Sequence, residues 1–269
     1  MPCRLTSGVP QSIVNGIRTA YDVAREGPDV LLVHGWMASR RYWHEARDRL
    51  TGFRIWAVDL YGYGDSEKPV SGYTLDSYAA FLAGFLDSQH MEKVAIVGHS
   101  MGGAVAAWAA LRFPRRFWAL SLVDAALAGL ARPPPVWTAQ PLMRTFMRLA
   151  DLSKRLGVMT VKGILGLDEK QSLMVFEEAR KADVRAALEC GEMMSTPTDW
   201  RGLKSLDVPT LVVYGEDDFL TDQDVDHRMR SLLPRAAFNY VPDCGHLPML
   251  EKPKEFYGLL LSFLAKNTP

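Results

Sequence analysis

The chain has 269 residues, and its 31 Lys and Arg residues balance 31 Asp and Glu residues, so the formal net charge is zero. A neutral chain has no overall field that would attract nucleic acid or an acidic membrane, and we expect neither partner. Hydrophobic residues make up 48% and charged residues 23%, which is typical of a chain with a sizeable core and excludes the disordered and fibrous classes.

Targeting signals and cysteine spacing give no sign of export or of a metal. No stretch reaches the roughly eighteen consecutive apolar residues of a membrane span, and the first residues lack the apolar run of a secretory signal. We therefore expect a cytoplasmic protein without a membrane span. Cys3, Cys190 and Cys244 lie far apart, so we expect no disulfide framework, no metal site and no cofactor. A monomer and a homodimer are both consistent with the sequence.

Short apolar runs rich in Val, Ile and Leu alternate with longer segments of helical period. This alternation predicts an α/β fold with a mostly parallel, doubly wound sheet, because strands buried on both faces are apolar throughout. The predicted strands are 12–24 (bent or paired around Asn15-Gly16), 30–33, 54–59, 93–97, 119–123, 210–214 and 237–241. The predicted helices are 40–50, 75–90, 101–113, 223–233 and 253–266.

Residues 127–206 interrupt this alternation. They contain no clear β run, but they hold six methionines and several helical segments, which predicts a helical insertion between core segments 1–126 and 207–269. An apolar stripe rich in Met is usually core, and the functional alternative is an adaptable wall above a substrate pocket. The candidate substrate contacts in this segment are Trp137, Met143, Phe146 and Met147.

The strongest local motif is Gly98-His99-Ser100-Met101-Gly102-Gly103, which follows a predicted strand and opens an alanine-rich helix. A serine on a sharp turn from strand to helix needs small neighbours, since its backbone is strained and closely packed, and such a turn presents Oγ to a cleft. The alternative is a glycine-rich turn whose serine merely caps the helix.

A serine hydroxyl is a weak nucleophile, so this chemistry also needs a histidine base and an acid that orients it. Asp217 and Asp218 follow the predicted strand 210–214, and His246 follows the next one. Because parallel strands bring their carboxyl ends to one edge of a sheet, the order nucleophile, acid, histidine predicts a single site there. Asp124 follows another strand and is an alternative acid, or a residue that caps its loop.

Acyl transfer further requires backbone N–H groups aimed at the developing oxyanion. The segment His34-Gly35-Trp36-Met37 ends a predicted strand and can offer the N–H of Trp36 beside that of Met101. Glycine at position 35 permits the close approach of the two loops. The alternative is an ordinary glycine turn with a packed Trp36 ring.

Taken together, five segments resemble the α/β-hydrolase superfamily, in particular its small capped serine esterases and C–C bond hydrolases. They are His34-Gly35-Trp36, the stretch 59–66, Gly98-His99-Ser100-Met101-Gly102-Gly103, Gly215-Glu216-Asp217-Asp218 and the stretch 245–253.

The resemblance implies roles for particular residues. Ser100 would be the nucleophile, Asp218 the acid and His246 the base, with Trp36 and Met101 as oxyanion donors. It also implies that residues 127–206 form a cap inserted after the sixth strand. We further expect His34, Gly35 and His99 to contact the substrate.

Residues of this chain that differ from those of other branches of the superfamily help to choose among its reactions, as do the residues that match. Haloalkane dehalogenases and epoxide hydrolases use an Asp nucleophile, whereas position 100 is Ser, and residues 127–206 contain no Tyr to protonate an epoxide. We expect an esterase acting on a small-molecule ester of small to medium size. Cofactor-free perhydrolases share the same triad and are not excluded.

Three other functions stay open. One is a C–C bond hydrolase of aromatic meta-cleavage products, which Trp36-Met37-Ala38 at the oxyanion loop disfavours. Another is a ligand receptor with slow turnover on the same scaffold. The third is an interaction protein with a vestigial site, against which the complete set of site residues argues.

Overall fold

The computed structural model describes residues 9–127, 153–218 and 223–269. Eight strands form one sheet. They are β1 (Gln11–Val14), β2 (Ile17–Ala24), β3 (Asp29–Val33), β4 (Arg54–Val58), β5 (Val94–His99), β6 (Phe117–Val123), β7 (Thr210–Gly215) and β8 (Ala237–Val241). Their order across the sheet is β1-β2-β4-β3-β5-β6-β7-β8.

The sheet is mostly parallel. β1 and β2 form the predicted hairpin around Asn15-Gly16, and β2 pairs antiparallel with β4. From β4 across to β8 every pairing is parallel. The carboxyl ends of β3, β5, β6, β7 and β8 therefore meet at one edge, which is where a parallel sheet places its binding site.

The apolar strand runs follow from burial on both faces of the sheet. Along β3, Val30 and Leu32 lie in one hydrophobic cluster, whereas Leu31 and Val33 lie in another. Successive side chains of a strand point to opposite faces, so each face needs its own apolar cover. The α/β fold and the doubly wound sheet expected from the sequence are confirmed.

Helices supply this cover. They are α1 (Ala46–Arg49), α2 (Leu75–Ser88), α3 (Met101–Arg112), α4 (Lys154–Leu165), α5 (Glu169–Ala179), α6 (Val184–Ser195), α7 (Gln223–Leu232), α8 (Pro248–Glu251) and α9 (Pro253–Asn267). α2 and α3 pack into the cluster that contains Leu31, and α9 packs into the one that contains Val30. Within the described residues, no helix is long and apolar enough to cross a membrane.

The described part of the inserted segment is helical. Residues 153–205 comprise α4, α5, α6 and a 3-10 helix at Arg201–Ser205, and no strand occurs in that range. α4 and α5 pack closely at Gly157. A Cβ at that position would come within 2.0 Å of the Phe176 ring, so only glycine allows this approach. That residues 127–206 form a separate cap domain stays a prediction.

The helix predicted over 40–50 is wrong as a single element. The structure has a 3-10 helix at Arg40–Trp43 and the short α1 instead. Arg40 is 3% exposed, and its guanidinium group binds the buried Asp59 and, at 2.9 Å, Asp65. These tertiary contacts direct the chain inward and override the helical pattern of the sequence.

Candidate active site

Ser100 lies on the tight turn between β5 and α3, with φ 52° and ψ −119°. A positive φ is strained for a residue with a side chain, so the surroundings must hold it. They do, because its N–H donates to Val123 O at 2.9 Å and its carbonyl accepts from the N–H groups of Gly103 and Ala104. The turn therefore presents the Ser100 hydroxyl rigidly at the carboxyl edge of the sheet.

We expect Gly98→Ala to destabilise the protein by more than about 2 kcal/mol. A Cβ at position 98 would lie 2.2 Å from Gly102 O and 2.8 Å from Gly103 Cα, and backbone atoms cannot move aside cheaply. Gly163→Ala in α4 is the matched control, because nothing lies within 4 Å of its Cβ position. Urea unfolding of both variants is the measurement, and equal midpoints would contradict this account of the turn.

Three predicted side chains come together in one line. His246 Nε2 lies 3.0 Å from Ser100 Oγ, and His246 Nδ1 lies 2.9 Å from Asp218 Oδ2. Asp218 is 4% exposed, whereas the neighbouring Asp217 is exposed and its N–H donates to Cys244 O. In this hydrogen-bonded arrangement, a serine hydroxyl can transfer its proton to an imidazole that a buried carboxylate orients.

The loop that carries His246 is held by hydrogen bonds to α8, the helix that follows it. Glu251 in α8 accepts hydrogen bonds from the N–H groups of Gly245, at 2.7 Å, and Leu247, at 2.8 Å. Both neighbours of His246 are thus tied to one carboxylate. No pattern in the sequence indicates this role of Glu251.

The predicted oxyanion loop, residues 34–37, lies against Ser100. A Cβ at Gly35 would come within 2.8 Å of His99 Nδ1 and 3.1 Å of Ser100 Cβ, so glycine is required there. The N–H of Met101 stands at the first position of α3, where a helix supplies no carbonyl partner. Trp36 follows Gly35 on the facing loop, as the oxyanion prediction requires.

The Trp36 side chain has a second contact that the sequence did not predict. Its indole Nε1–H donates to Ala187 O in α6 at 2.9 Å, and the Tyr63 hydroxyl donates to Ala186 O at 3.2 Å. The N–H of Asp183 donates to Gly62 O at 2.8 Å just before α6 begins. α6 is therefore held close to the oxyanion loop.

The expectation that His34 contacts the substrate is corrected. His34 is completely buried; its Nδ1–H donates to Gly35 O at 2.8 Å, and its Nε2 accepts from the Leu60 N–H at 3.0 Å. Burial lowers its pKa, so the ring is neutral. His34 acts on the backbone of the oxyanion loop.

His99, a second predicted substrate contact, is hydrogen-bonded within the protein. It is 3% exposed, and its Nε2–H donates to the carbonyl oxygen of His246 at 2.8 Å. Burial and the neighbouring His246 lower the pKa of His99 to about 3. Through this hydrogen bond, His99 holds the loop that carries His246.

Gly35, a further predicted substrate contact, is buried. The remaining predicted substrate contacts lie outside the described residues. They are Trp137, Met143, Phe146 and Met147.

A possible metal-binding group shares the same atoms. One potential ligand atom each from Asp124, Asp218 and His246 lies within 4.8 Å of the others. The Nδ1 of His246 is at hydrogen-bonding distance from Asp218, which is the arrangement that proton transfer from serine needs. Activity measured with and without a chelator distinguishes metal binding from proton transfer at this cluster.

The chain is similar to known proteins in sequence and in fold. The sequence profile of the alpha/beta hydrolase family matches residues 30–259. The 2-hydroxy-6-oxo-6-(2'-aminophenyl)hexa-2,4-dienoic acid hydrolase of Metapseudomonas resinovorans is 29% identical over 266 residues, which cover 94% of this chain and 89% of the relative. The pimeloyl-[acyl-carrier protein] methyl ester esterase of Nitrosomonas europaea is 28% identical over 241 residues, covering 86% and 93% respectively.

The fold is also similar to solved structures. A thermophilic esterase from Thermogutta terrifontis aligns with a TM-score of 0.81 and 23% identity, covering 98% of this chain and 100% of that chain. At this identity the likeness concerns the fold.

Proposed function

Since this chain belongs to the alpha/beta hydrolase family, we propose that it is a serine hydrolase that cleaves small to medium apolar carboxylic esters through an acyl-enzyme. The observation that carries the proposal is the line from Ser100 Oγ through the His246 ring to Asp218, with spacings of 3.0 and 2.9 Å. An assay with p-nitrophenyl esters of rising acyl length tests it, and the release of p-nitrophenol is the readout.

Acylation begins when Ser100 Oγ attacks the ester carbonyl carbon while His246 Nε2 accepts the hydroxyl proton. The carbonyl oxygen becomes an oxyanion, which the N–H groups of Trp36 and Met101 stabilise by hydrogen bonds. The tetrahedral intermediate collapses, the bond to the alcohol breaks, and His246 gives its proton to the leaving alkoxide. The acyl group is then bound to Ser100.

Deacylation repeats these steps with water. His246 Nε2 accepts a proton from water, and the resulting hydroxide attacks the acyl carbon. The bond to Ser100 Oγ breaks, and His246 returns the proton to the serine. Asp218 keeps the Nδ1–H tautomer throughout, which leaves Nε2 free to accept. The net reaction consumes one water and releases one acid and one alcohol.

A C–C bond hydrolase is the second candidate. The similarity to the Metapseudomonas resinovorans hydrolase, at 29% identity, favours it. The similarity to the methyl ester esterase of Nitrosomonas europaea, at 28%, favours the ester reaction to the same degree. Turnover of a vinylogous 1,5-diketone of the meta-cleavage type, measured beside the ester series, separates them. Binding without turnover of either class would favour a ligand receptor.

We expect ester hydrolysis to fall at acidic pH, with log kcat/KM decreasing with a slope of one. Protonated His246 cannot accept the proton of Ser100. The pKa of His99 is lowered to about 3, and Nε2 of the buried His34 accepts from the Leu60 N–H, so we expect neither ring to add a second ionisation. A pH series of kcat/KM measures this.

A slope of two at mildly acidic pH would contradict the neutral state of His34 and His99. The same series run with EDTA is the control for a metal at Asp124, Asp218 and His246, and unchanged rates are expected. Loss of activity with EDTA that added zinc restores would contradict proton transfer through this cluster.

We expect apolar esters of short to medium acyl length to be preferred to charged esters and to emulsified long-chain triglycerides. α6 is tied to the oxyanion loop by the bond from Trp36 to Ala187 O, and this contact favours a pocket of limited depth. Rates on the acyl series measure the preference. Equal rates on long-chain triglyceride emulsions would contradict a covered pocket.

A further inference from the structure

Asp124 is a buried acid that the proposed ester chemistry does not use. It follows β6, has a φ of 43° and is 3% exposed. Its N–H donates to Val213 O at 2.9 Å, and its Oδ1 accepts from the Gly215 N–H at 3.0 Å. Its Oδ2 is buried as well, without a conventional hydrogen-bond partner in the described part of the chain. Oδ1 of this carboxyl group is thus held by a hydrogen bond, whereas the burial of Oδ2 needs an explanation.

The explanation lies in the distance to the triad acid. One carboxyl oxygen of Asp124, one of Asp218 and one ring nitrogen of His246 lie within 4.8 Å of one another. Asp124 and Asp218 are 3% and 4% exposed, so little solvent screens the repulsion between them. Two buried carboxyl groups this close disfavour each other's ionised form. This repulsion favours a proton on one of the two.

The proton belongs on Asp124. Asp218 Oδ2 faces His246 Nδ1–H at 2.9 Å, which favours the ionised form of Asp218. Burial, and then the charge of Asp218, raise the pKa of Asp124 well above its usual range, and the hydrogen bond from Gly215 acts in the opposite direction without reversing this. Among the described residues, the titratable groups that interact with Asp124 electrostatically or lie within 4.8 Å of it are Tyr214, Asp218, Cys244, His246 and Glu251.

We propose that Asp124 is a positioning residue that keeps its proton and donates a hydrogen bond to the Asp218 carboxylate, which holds that carboxylate against Nδ1 of His246. The inference rests on the proposed function, because it assigns Asp218 to the triad. The proton stays on Asp124 throughout the reaction. Without this donor, Asp218 is freer to move and bears more of its negative charge toward His246, so it stabilises the protonated ring more strongly.

Asp124→Asn is the first variant, because asparagine reproduces a neutral aspartic acid. Its amide oxygen can accept from the Gly215 N–H, and its amide N–H₂ can donate to Asp218. We expect kcat within about threefold of the wild type and an unchanged pH profile. A loss as large as that of Asp218→Asn would mean that position 124 works as a carboxylate, which would overturn the proposal.

Asp124→Leu is the contrasting variant, because leucine has a similar shape but neither donates nor accepts. We expect kcat to fall about tenfold or more, as for one hydrogen bond to a charged group, with KM within about twofold. We also expect the acidic limb of the activity profile to move to higher pH. A folded Asp124→Leu protein, checked by urea unfolding, with wild-type kcat and pH profile would overturn the proposal.

Infrared spectroscopy keeps the test decisive if Asp124→Leu does not fold. At neutral pH, the wild-type protein should show the C=O band of a protonated carboxyl group, which Asp124→Asn removes. If Asp124→Asn removes no such band, Asp124 is ionised and the proposal fails. This measurement needs no substrate, so its result stands apart from a failure of the ester assay, which would count against the proposed function.

Discussion

Replacing Ser100 with alanine is expected to lower ester turnover by at least about 10³-fold. In the proposed mechanism the Oγ atom is the nucleophile, and its one hydrogen bond in the described site is to His246 Nε2. Since Ser100 is held by its backbone bonds to β6 and α3, its replacement should leave the fold intact. Steady-state release of p-nitrophenol measures the rate, and circular dichroism checks the fold.

Ser121→Ala is the matched control for this loss. Ser121 lies on β6, is 1% exposed, and its Oγ has no hydrogen-bond partner within the described chain. We expect its replacement to change turnover little. A Ser100→Ala protein that keeps more than a few per cent of the wild-type rate would contradict the nucleophile assignment.

Asp218→Asn is expected to lower turnover by about 10⁴-fold, because asparagine lets the His246 ring adopt the wrong tautomer. Asp218 Oδ2 accepts from Nδ1 at 2.9 Å, and an amide that donates there would turn the lone pair of Nδ1 toward position 218. Nε2 would then carry a hydrogen and could not accept the proton of Ser100. Measured kcat/KM gives the size of the effect.

Asp217→Asn is the control that tests whether the acid is Asp218 or its neighbour. Asp217 is exposed, next in sequence to Asp218, and contacts the His246 loop through its backbone N–H rather than its carboxylate. We expect less than about a threefold change. If Asp217→Asn were the crippling substitution, the placement of the acid would be wrong although the reaction class could stand.

The sheet and the proximity of Ser100, Asp218 and His246 were predictable because both follow from short-range patterns. Buried parallel strands need apolar residues on both faces, which the runs at 30–33 and 210–214 show directly. Parallel pairing then brings the ends of β5, β7 and β8 to one edge, so Ser100, Asp218 and His246 approach one another although 146 positions separate the first from the last. The sheet topology thus places three segments that are distant in sequence next to one another.

The contacts around the triad were not predictable, since they depend on partners distant in sequence. The indole of Trp36 bonds to the backbone of Ala187, 151 residues away. His99 reaches the carbonyl of His246, 147 residues away, and so became a structural residue although it stands beside Ser100. Arg40 broke a predicted helix because Asp59 binds it in the core. No periodicity of the sequence encodes such pairs.

Covalent labelling tests the central claim most directly. A fluorophosphonate reacts with a serine whose hydroxyl is activated by a neighbouring base, and the product can be located by mass spectrometry of peptides. We predict labelling of the wild-type protein at Ser100 and at none of the other serines among the fifteen in the chain, with no labelling of Ser100→Ala. Labelling at another serine, or none at Ser100 in a folded protein, would contradict the account.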